Sequence, residues 1–302
     1  MKILSLIASS TEIIHALGCG DQLVGRSHEC DYPSEVLSLP HCTKPRFNID
    51  GSSREIDDRV KSTLKSALSV YEVDEVLLAD MNPDIIITQS QCEVCAVSLK
   101  DIEKAVRKII GKSPRVVSLE PNSLSDIWSD IKKVSEAVNV QERGQKLIHE
   151  LQNRILDLKS LIKDESSNSV ACIEWIDPLM AAGNWVPELV ELAGGKNLFG
   201  EAGKHSPWMS FEELCERDPD VIAVMPCGYG IEKTRQEMDV LIRKTKWRSL
   251  KAVKNNQVYL TDGNQYFNRP GPRIIESLEI LIEILYDQKY NFGHFKRGWV
   301  KI

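Results

Sequence analysis

Cysteine and histidine side chains, which bind soft metals or act as nucleophiles, follow short apolar segments at three places in the chain. His28 and Cys30 lie in RSHECDYP, Cys92 and Cys95 in TQSQCEVCAVS, and Cys227 in VMPCGYG. In open α/β sheets, ligands bind outside the carboxyl ends of the strands. Loops of this kind, carrying soft and nitrogen donors, therefore predict one shared ligand site.

Cys92 and Cys95 have the spacing found in metal knuckles, iron–sulfur sites and redox dithiols. A zinc knuckle usually contains a second cysteine pair, and the sequence has none. A metal site would therefore need Cys227, Cys30 or His28 from other loops. The alternative is that both thiols pack at the start of a helix, and the residues alone leave the two interpretations open.

The remaining cysteines lie at helix ends or in apolar strands, where we expect them to pack as small hydrophobic residues. These are Cys19, Cys42, Cys172 and Cys215. The sequence begins with a strand-like segment and has no separate apolar leader, so we expect a cytoplasmic protein with reduced thiols. If a leader was removed, the location would be extracytoplasmic.

Aromatic residues form a second candidate site. They occur in polar loops, where the sequence offers no obvious core for them, and flat aromatic walls suit a large planar or ring-bearing ligand. The alternative is a set of small clusters packed under long loops. The candidates are Trp185, Trp208, Tyr229 and Tyr266, with Arg269 in YFNRPGPR beside the last of them.

Composition and motifs exclude several functions. The 38 Lys and Arg residues are scattered and outnumbered by 44 Asp and Glu, giving a net charge of −6, so a nucleic-acid partner is not expected. No apolar run approaches the roughly 20 residues of a membrane span, so membrane insertion is not expected. The chain lacks GxSxG, P-loop and GxGxxG motifs. We therefore expect a binding protein, not an enzyme.

The elements that position these residues follow an α/β pattern. KILSLIAS and PDIIITQ predict buried strands, and SSTEIIHALG between them predicts a helix. After residue 166 the pattern returns with VACIEWI and PDVIAVMP. Alternating strands and helices predict mainly parallel sheets covered on both faces.

The stretch 123–163 has helical apolar spacing, interrupted by Gly144 alone, and predicts either one very long helix or two consecutive helices. An acidic helix followed by Pro-Asp and a β-branched strand occurs twice, in NPDIIIT and in DPDVIAV. This repetition indicates two lobes of the same fold. We predict an N-terminal lobe over 1–121, a bridging helix over 122–166 and a C-terminal lobe over 167–302.

Several segments together resemble the cobalamin-binding and iron–siderophore-binding substrate proteins of ABC importers. They are SLIASSTEIIHALGCGDQLVGRSHECDYP, NPDIIIT, WIDPLMAAGNWVPELVELAGGKNLFG, DPDVIAVMP and YFNRPGPRIIESLEIL. The resemblance covers nearly the whole chain in the right order. It implies two Rossmann-like lobes bridged by a long helix, as in class III periplasmic binding proteins, with a ligand held in the cleft between them. QCEVCAVS and PCGYG are similar to a branch of this group that carries cysteines in the cleft.

The resemblance also implies the function and the partners. The ligand would be cobalamin or a related corrinoid, with the aromatic residues against the macrocycle and His28 or a cysteine near the cobalt. The protein would be a monomer that docks on an ABC permease through one surface glutamate in each lobe. Glu212 matches this place in the second lobe; in the first lobe Val76 occupies it, with Glu75 beside it. The alternative is a cytoplasmic metal or iron–sulfur protein or enzyme on the same fold, with Cys92, Cys95, Cys227 and His28 as metal ligands.

Overall fold

The structure is a computed structural model that describes residues 1–67, 69–90, 101–102, 106, 113–163, 165, 167–287 and 289–302. The chain divides into two compact units. The N-terminal unit comprises Met1–Gly51, Glu55–Pro121 and Ser125–Glu150, and the C-terminal unit comprises Ser52–Arg54, Asn122–Leu124 and Leu151–Ile302.

A four-stranded parallel sheet forms the centre of the N-terminal unit. Its strand order is β2-β1-β5-β6, and a short antiparallel pair, β3-β4, lies outside it. The central strand β5 is buried along its whole length, including the polar Thr88 and Gln89 at its end, because a parallel sheet is covered on both faces. The strands are β1 (Ile3–Ser5), β2 (Leu23–Arg26), β3 (Thr43–Pro45), β4 (Tyr71–Val73), β5 (Ile85–Gln89) and β6 (Arg115–Leu119).

Helices cover this sheet, and the described ones are α1 (Ala8–Ala16), α2 (Ser53–Leu64), α3 (Glu75–Met81) and α4 (Leu124–Ala137). A buried cluster that includes Leu4, Leu78 and Ile86 joins β1, α3 and β5. The predicted helix of VSLKDIEKAVRKII falls largely outside the described residues.

Two consecutive helices, α4 and α5 (Gln141–Leu161), occupy the stretch for which the sequence allowed one long helix or two. The break lies at Asn139, which adopts a left-handed backbone conformation with φ 60°. Gly144 does not interrupt α5; a Cβ atom there would come 2.2 Å from Ser135 Oγ, so the glycine permits α5 to pack closely on α4. Residues of α5 up to Glu150 belong to the N-terminal unit and the rest to the C-terminal unit.

The C-terminal unit contains a second, mostly parallel sheet with strand order β12-β11-β10-β7-β8, and β9 also pairs with β7. β12 and β8 are its antiparallel members. The strands are β7 (Ser169–Trp175), β8 (Met180–Ala181), β9 (Lys196–Asn197), β10 (Val221–Val224), β11 (Val258–Thr261) and β12 (Trp299–Lys301). The helices are α6 (Val186–Leu192), α7 (Phe211–Arg217), α8 (Ile231–Glu237), α9 (Asp239–Ile242), α10 (Lys251–Lys254) and α11 (Ile274–Leu285).

The repeated helix, Pro-Asp and strand pattern is present in both units. α3 ends at Asn82 and α7 at Asp218, both in left-handed conformation with φ 44° and φ 40°. The aspartate that follows the proline then accepts a backbone N–H at the start of the neighbouring strand. Asp84 accepts from Lys2 at 2.8 Å, and Asp220 accepts from Ser169 at 2.9 Å.

Within the described residues, none of the helices combines the length and the apolarity that crossing a membrane requires.

Candidate functional site

In the N-terminal unit, the segment that follows β2 carries His28 and Cys30 and is held in place by Arg26. The buried guanidinium donates hydrogen bonds to the carbonyl oxygens of Ser27, Cys30 and Leu39 at 3.1, 3.0 and 3.2 Å. These bonds to a charged donor fix the backbone on which His28 stands. The loop therefore positions its side chains at the carboxyl end of a parallel strand, as the sequence predicts.

His28 is half-buried and packs against two side chains from β3 and β4. Its backbone N–H donates to Thr43 Oγ1 at 3.0 Å, and its Nδ1 lies 2.8 Å from the same oxygen. The Tyr71 ring contacts the imidazole edge-on, with centroids 4.9 Å apart. Burial, with the charges of His41 and Arg26, lowers the pKa of His28 to about 4, so the imidazole is neutral at pH 7.

Cys30 is fully buried and receives a hydrogen bond from the Thr11 hydroxyl, whose oxygen lies 3.0 Å from Sγ. Thr11 is also 2.7 Å from Ser5 Oγ, and Ser5 is 2.6 Å from Ser10 Oγ. The thiol thus belongs to a polar cluster beneath α1. Its predicted contact with a ligand stays a prediction.

The other predicted thiol ligands are not tested by the structure. Cys92 and Cys95 lie outside the described residues, and Cys227 is exposed in the C-terminal unit. Among the residues that the structure describes, no group of three or more His, Cys, Asp or Glu side chains is arranged to hold a metal ion. The metal site formed by Cys92, Cys95, Cys227 and His28 therefore stays a prediction.

The four cysteines expected to pack do so to different degrees. Cys19, Cys42 and Cys172 are buried and Cys215 is partly buried. Burial raises the pKa of Cys42 and of Cys172 to about 12, so both remain protonated thiols.

In the C-terminal unit, Trp208 is a large apolar side chain exposed to solvent on a rigid backbone. Its side chain is 56% exposed. The backbone of the flanking residues is fixed on β8 by two hydrogen bonds: Ala181 N–H donates to Pro207 O, and Met209 N–H donates to Leu179 O, both at 3.0 Å. An exposed ring held in this way offers a flat surface to a ligand.

Tyr229 and Trp175 form a second aromatic surface in the same unit. Trp175 is the last residue of β7, and Tyr229 lies in the segment after β10. The centroids of their rings are 5.2 Å apart. The Tyr229 hydroxyl and the Trp175 Nε1 are both buried, and neither has a hydrogen-bond partner in the described part of the chain. Burial raises the pKa of Tyr229, so it is a neutral donor. Two unsatisfied buried polar atoms in contact rings are uncommon in folded proteins and mark a place where a ligand's polar groups fit.

Trp185, Tyr266 and Arg269 have structural partners, so the expectation that the loop aromatics lack a core is wrong for the first two. Trp185 is 6% exposed, and its Nε1 donates to Phe267 O at 3.0 Å. Tyr266 is equally buried, and Arg269 donates through Nε to Asn264 O at 2.6 Å. The reason is the π-helical turn over Gly263–Phe267, which buries Tyr266 and supplies the carbonyl that accepts the hydrogen bond from Trp185.

The predicted docking glutamates both begin short helices. Glu75 is the first residue of α3, and Glu212 is the second residue of α7 and is exposed. Val76 is the second residue of α3, the position that Glu212 occupies in α7. The side chain of Val76 is 74% exposed. Glu213, next to Glu212, caps its own helix through reciprocal hydrogen bonds with Ser210.

Sequence reasoning missed Arg26 and Thr43 as residues of the candidate site. Thr43 lies 15 positions from His28 and comes close to it only through the β3-β4 pair. Trp175 belongs to the aromatic residues that the sequence singles out, and it is the last residue of a strand, at the end where ligands bind.

Comparison with known proteins supports the fold. The sequence profile of the periplasmic binding protein family matches residues 3–265. A vitamin B12-binding protein of Vibrio cholerae is 24% identical over 286 residues, covering 92% of this chain and 86% of its own. An ABC transporter substrate-binding lipoprotein of Bacillus subtilis is 22% identical over 298 residues, covering 96% of this chain and 81% of its own. The crystal structure of an ABC transporter substrate-binding protein from Listeria monocytogenes is 20% identical, with a TM-score of 0.71 over 95% of this chain and 98% of that one. The predicted α/β fold of the class III type is confirmed.

The prediction of a cytoplasmic protein is wrong. Periplasmic binding proteins and the lipoprotein relative operate outside the cytoplasm, which indicates an extracytoplasmic location. The prediction depended on the first residues of the sequence. These residues form β1 and α1 of the fold and carry no information about the cellular compartment.

Proposed function

The chain belongs to the periplasmic binding protein family, whose members are substrate-binding proteins of ABC importers and not enzymes, and from this premise we propose that it binds a corrinoid of the cobalamin type. The protein would collect the corrinoid outside the cytoplasm and deliver it to a permease. The vitamin B12-binding relatives, which align with over nine-tenths of this chain, support this ligand class.

The observation that carries the proposal is the exposed Trp208. A tryptophan ring held on a fixed backbone in water loses little conformational freedom when a ligand covers it. Covering the ring also removes a large apolar area from water, which stabilises the complex. A corrin ring is large enough to cover an indole and has an apolar face to do so.

Polar groups near the same sheet edge suit the periphery of a corrinoid, which carries amide side chains. Trp175 Nε1 and the Tyr229 hydroxyl are donors without described partners, and amide oxygens are good acceptors for them. Cys227 lies two residues before Tyr229. Trp185 and Arg269 would act indirectly, because their side chains donate hydrogen bonds to the π-helical turn that contains Tyr266.

For docking on the permease, we assign Glu212 as the contact of the C-terminal unit. It is exposed, and its neighbour Glu213 makes the capping hydrogen bonds, so Glu212 is not needed for the cap. In the N-terminal unit, Glu75 lies one position earlier in α3 than Glu212 does in α7. The exposed Val76 occupies the position in α3 that corresponds to Glu212. The proposed contact there involves Glu75 with an apolar neighbour.

The test is a spectral and thermal titration of the purified protein with cyanocobalamin, with cobinamide and, for comparison, with hemin. We expect both corrinoids to change the visible absorbance and raise the midpoint of thermal unfolding at micromolar concentration, since ligand binding stabilises the folded state. The absence of both effects for both corrinoids would refute the proposal. A response to hemin alone would assign the site to a porphyrin.

A further inference from the structure

We propose that an exposed basic surface of the C-terminal unit, formed by Lys244, Lys246 and Arg248, binds the anionic head groups of membrane lipids. The three side chains are exposed and belong to the segment between α9 and α10. The inference rests on the proposed function in one respect, because docking through Glu212 is what brings this surface to a membrane. Its test needs neither corrinoid nor permease, so the two proposals fail separately.

The basic surface lies in the longest stretch of the sequence that has no acidic residue. Asp239 and Asp262 bound this stretch of 22 residues, which holds six Lys and Arg residues. The remaining 280 residues hold 32 Lys and Arg against 44 Asp and Glu. The chain as a whole is acidic, so composition alone does not explain the local excess of positive charge, which is typical of a surface that meets an anionic partner.

The charges of the basic surface are available to a partner. Within the described residues its three side chains make no ion pair, whereas the basic residues on either side do. Arg243 Nη2 lies 2.9 Å from Asp239 Oδ2, and Lys251 pairs with Asp220. The flanking charges are thus neutralised by carboxylates of the same unit. The central three bind an anion without first giving up an ion pair.

The backbone beneath the basic surface is fixed, because neighbouring side chains enter the hydrophobic core. Trp247 and Leu250 are buried in the core cluster of the C-terminal unit. The Trp247 N–H donates to Lys244 O at 2.9 Å. The N–H and the hydroxyl of Ser249 donate to Lys246 O at 3.0 and 2.6 Å. The backbone that carries the three cations therefore needs no ordering when it binds, which lowers the entropic cost of association.

The basic surface adjoins α7, the helix that carries Glu212. Lys244 Nζ lies 6.0 Å from the centroid of the Phe211 ring, and Phe211 precedes Glu212 in the helix. Burial raises the pKa of the Cys215 thiol, and the nearby charge of Lys246 opposes this rise, which also places Lys246 beside α7. A permease is surrounded by lipid, so docking through Glu212 brings the basic surface close to lipid head groups.

The chemistry of the surface suits a membrane interface. Ammonium and guanidinium groups close to an anionic lipid surface each raise the affinity about fivefold. Ile242, which comes just before the basic residues, is 40% exposed. Basic side chains next to an exposed apolar one are typical of segments that lie at the boundary between head groups and acyl chains.

The test is sedimentation of the purified protein with vesicles of equal parts phosphatidylglycerol and phosphatidylcholine, and with vesicles of phosphatidylcholine alone. We expect binding to the anionic vesicles only. The binding should be lost when the salt concentration rises from about 0.1 M to about 1 M, because the Debye length falls from about 10 Å to about 3 Å. The triple variant Lys244→Gln, Lys246→Gln, Arg248→Gln should bind the anionic vesicles about 100-fold more weakly, at about fivefold for each charge.

Two control variants separate the basic surface from net charge and from the exact side chains. Lys146→Gln, Lys159→Gln, Lys163→Gln removes three exposed charges in and just after α5 and should retain binding. Lys244→Arg, Lys246→Arg, Arg248→Lys keeps every charge and should bind as the wild type does. Circular dichroism verifies the fold of each variant.

Three results would overturn the proposal: no binding to anionic vesicles, equal binding to both kinds of vesicle, or undiminished binding by the Lys244→Gln, Lys246→Gln, Arg248→Gln variant. An equal loss in the α5 control variant would also overturn it, because net charge and not this surface would then govern binding. None of these results bears on the corrinoid titration, so the proposed ligand is tested independently.

Discussion

Asp130 makes the stability of the N-terminal unit dependent on pH in a direction opposite to that of an ordinary surface aspartate. It lies on α4, is 3% exposed and accepts the Glu120 N–H at 3.2 Å through Oδ2. Burial raises the pKa of Asp130 to about 6, although Lys133 and the Glu120 N–H oppose the shift. In the unfolded chain an aspartate titrates near pH 3.9.

The sign of the effect follows from these two values. Because the folded state holds the Asp130 proton more tightly, the contribution of Asp130 to stability is fully present below about pH 4 and is lost as the pH rises through about 6. A shift of about 2 pH units corresponds to about 3 kcal/mol in total, at 1.36 kcal/mol for each unit. About 2 kcal/mol of this falls between pH 4.5 and pH 8.

The experiment compares the wild type with Asp130→Asn in urea unfolding at pH 4.5 and pH 8. Asparagine keeps the shape and the acceptor for the Glu120 N–H but cannot ionise. The free energy of unfolding of the variant minus that of the wild type should therefore be about 2 kcal/mol higher at pH 8 than at pH 4.5, because only the wild type is destabilised by ionisation. Asp157→Asn, at an exposed position of α5, controls for the loss of one carboxylate. A difference between Asp130→Asn and wild type that does not change with pH would refute the reasoning.

Three further outcomes are expected. Glu283→Gln should lower the free energy of unfolding by about 2–4 kcal/mol in urea, because this buried carboxylate accepts the N–H groups of residues 292–294 and the Trp299 indole; an unchanged value would contradict that role. Trp208→Ala should weaken cyanocobalamin binding by about 10-fold to 30-fold in fluorescence titration, about 1.5–2 kcal/mol, while the unfolding midpoint stays near that of the wild type. Glu212→Arg should abolish stimulation of the permease ATPase, whereas Glu216→Arg, exposed on the same helix, should not; equal effects would argue against a specific contact.

The sequence predicts the sheets well, because a buried parallel strand needs a continuous apolar run. Residues 85–87 and Val221–Val224 are such runs, and both lie in central strands. Elements that are short or polar lack such a run, so the sequence did not predict them. α2, over Ser53–Leu64, is mostly polar, and β3 and β4 have three residues each and form only because they pair with each other.

The candidate site was harder to predict because its contacts connect residues far apart in sequence. Trp185 is a core residue because its indole reaches Phe267, 82 positions later. His28 was identified from its residue type, but the side chains that hold its ring are Thr43 and Tyr71, which no local pattern connects to it. Trp208 is the opposite case: its loop context in the sequence suggested an exposed ring, and the structure confirms the exposure.

The measurement that tests the central claim most directly is equilibrium dialysis of the purified protein against cyanocobalamin, read by visible absorbance. A corrinoid-binding protein should accumulate about one corrinoid per chain and saturate at micromolar free ligand or below. Equal concentrations of cyanocobalamin on both sides of the membrane, with protein that is folded by circular dichroism, would contradict the account.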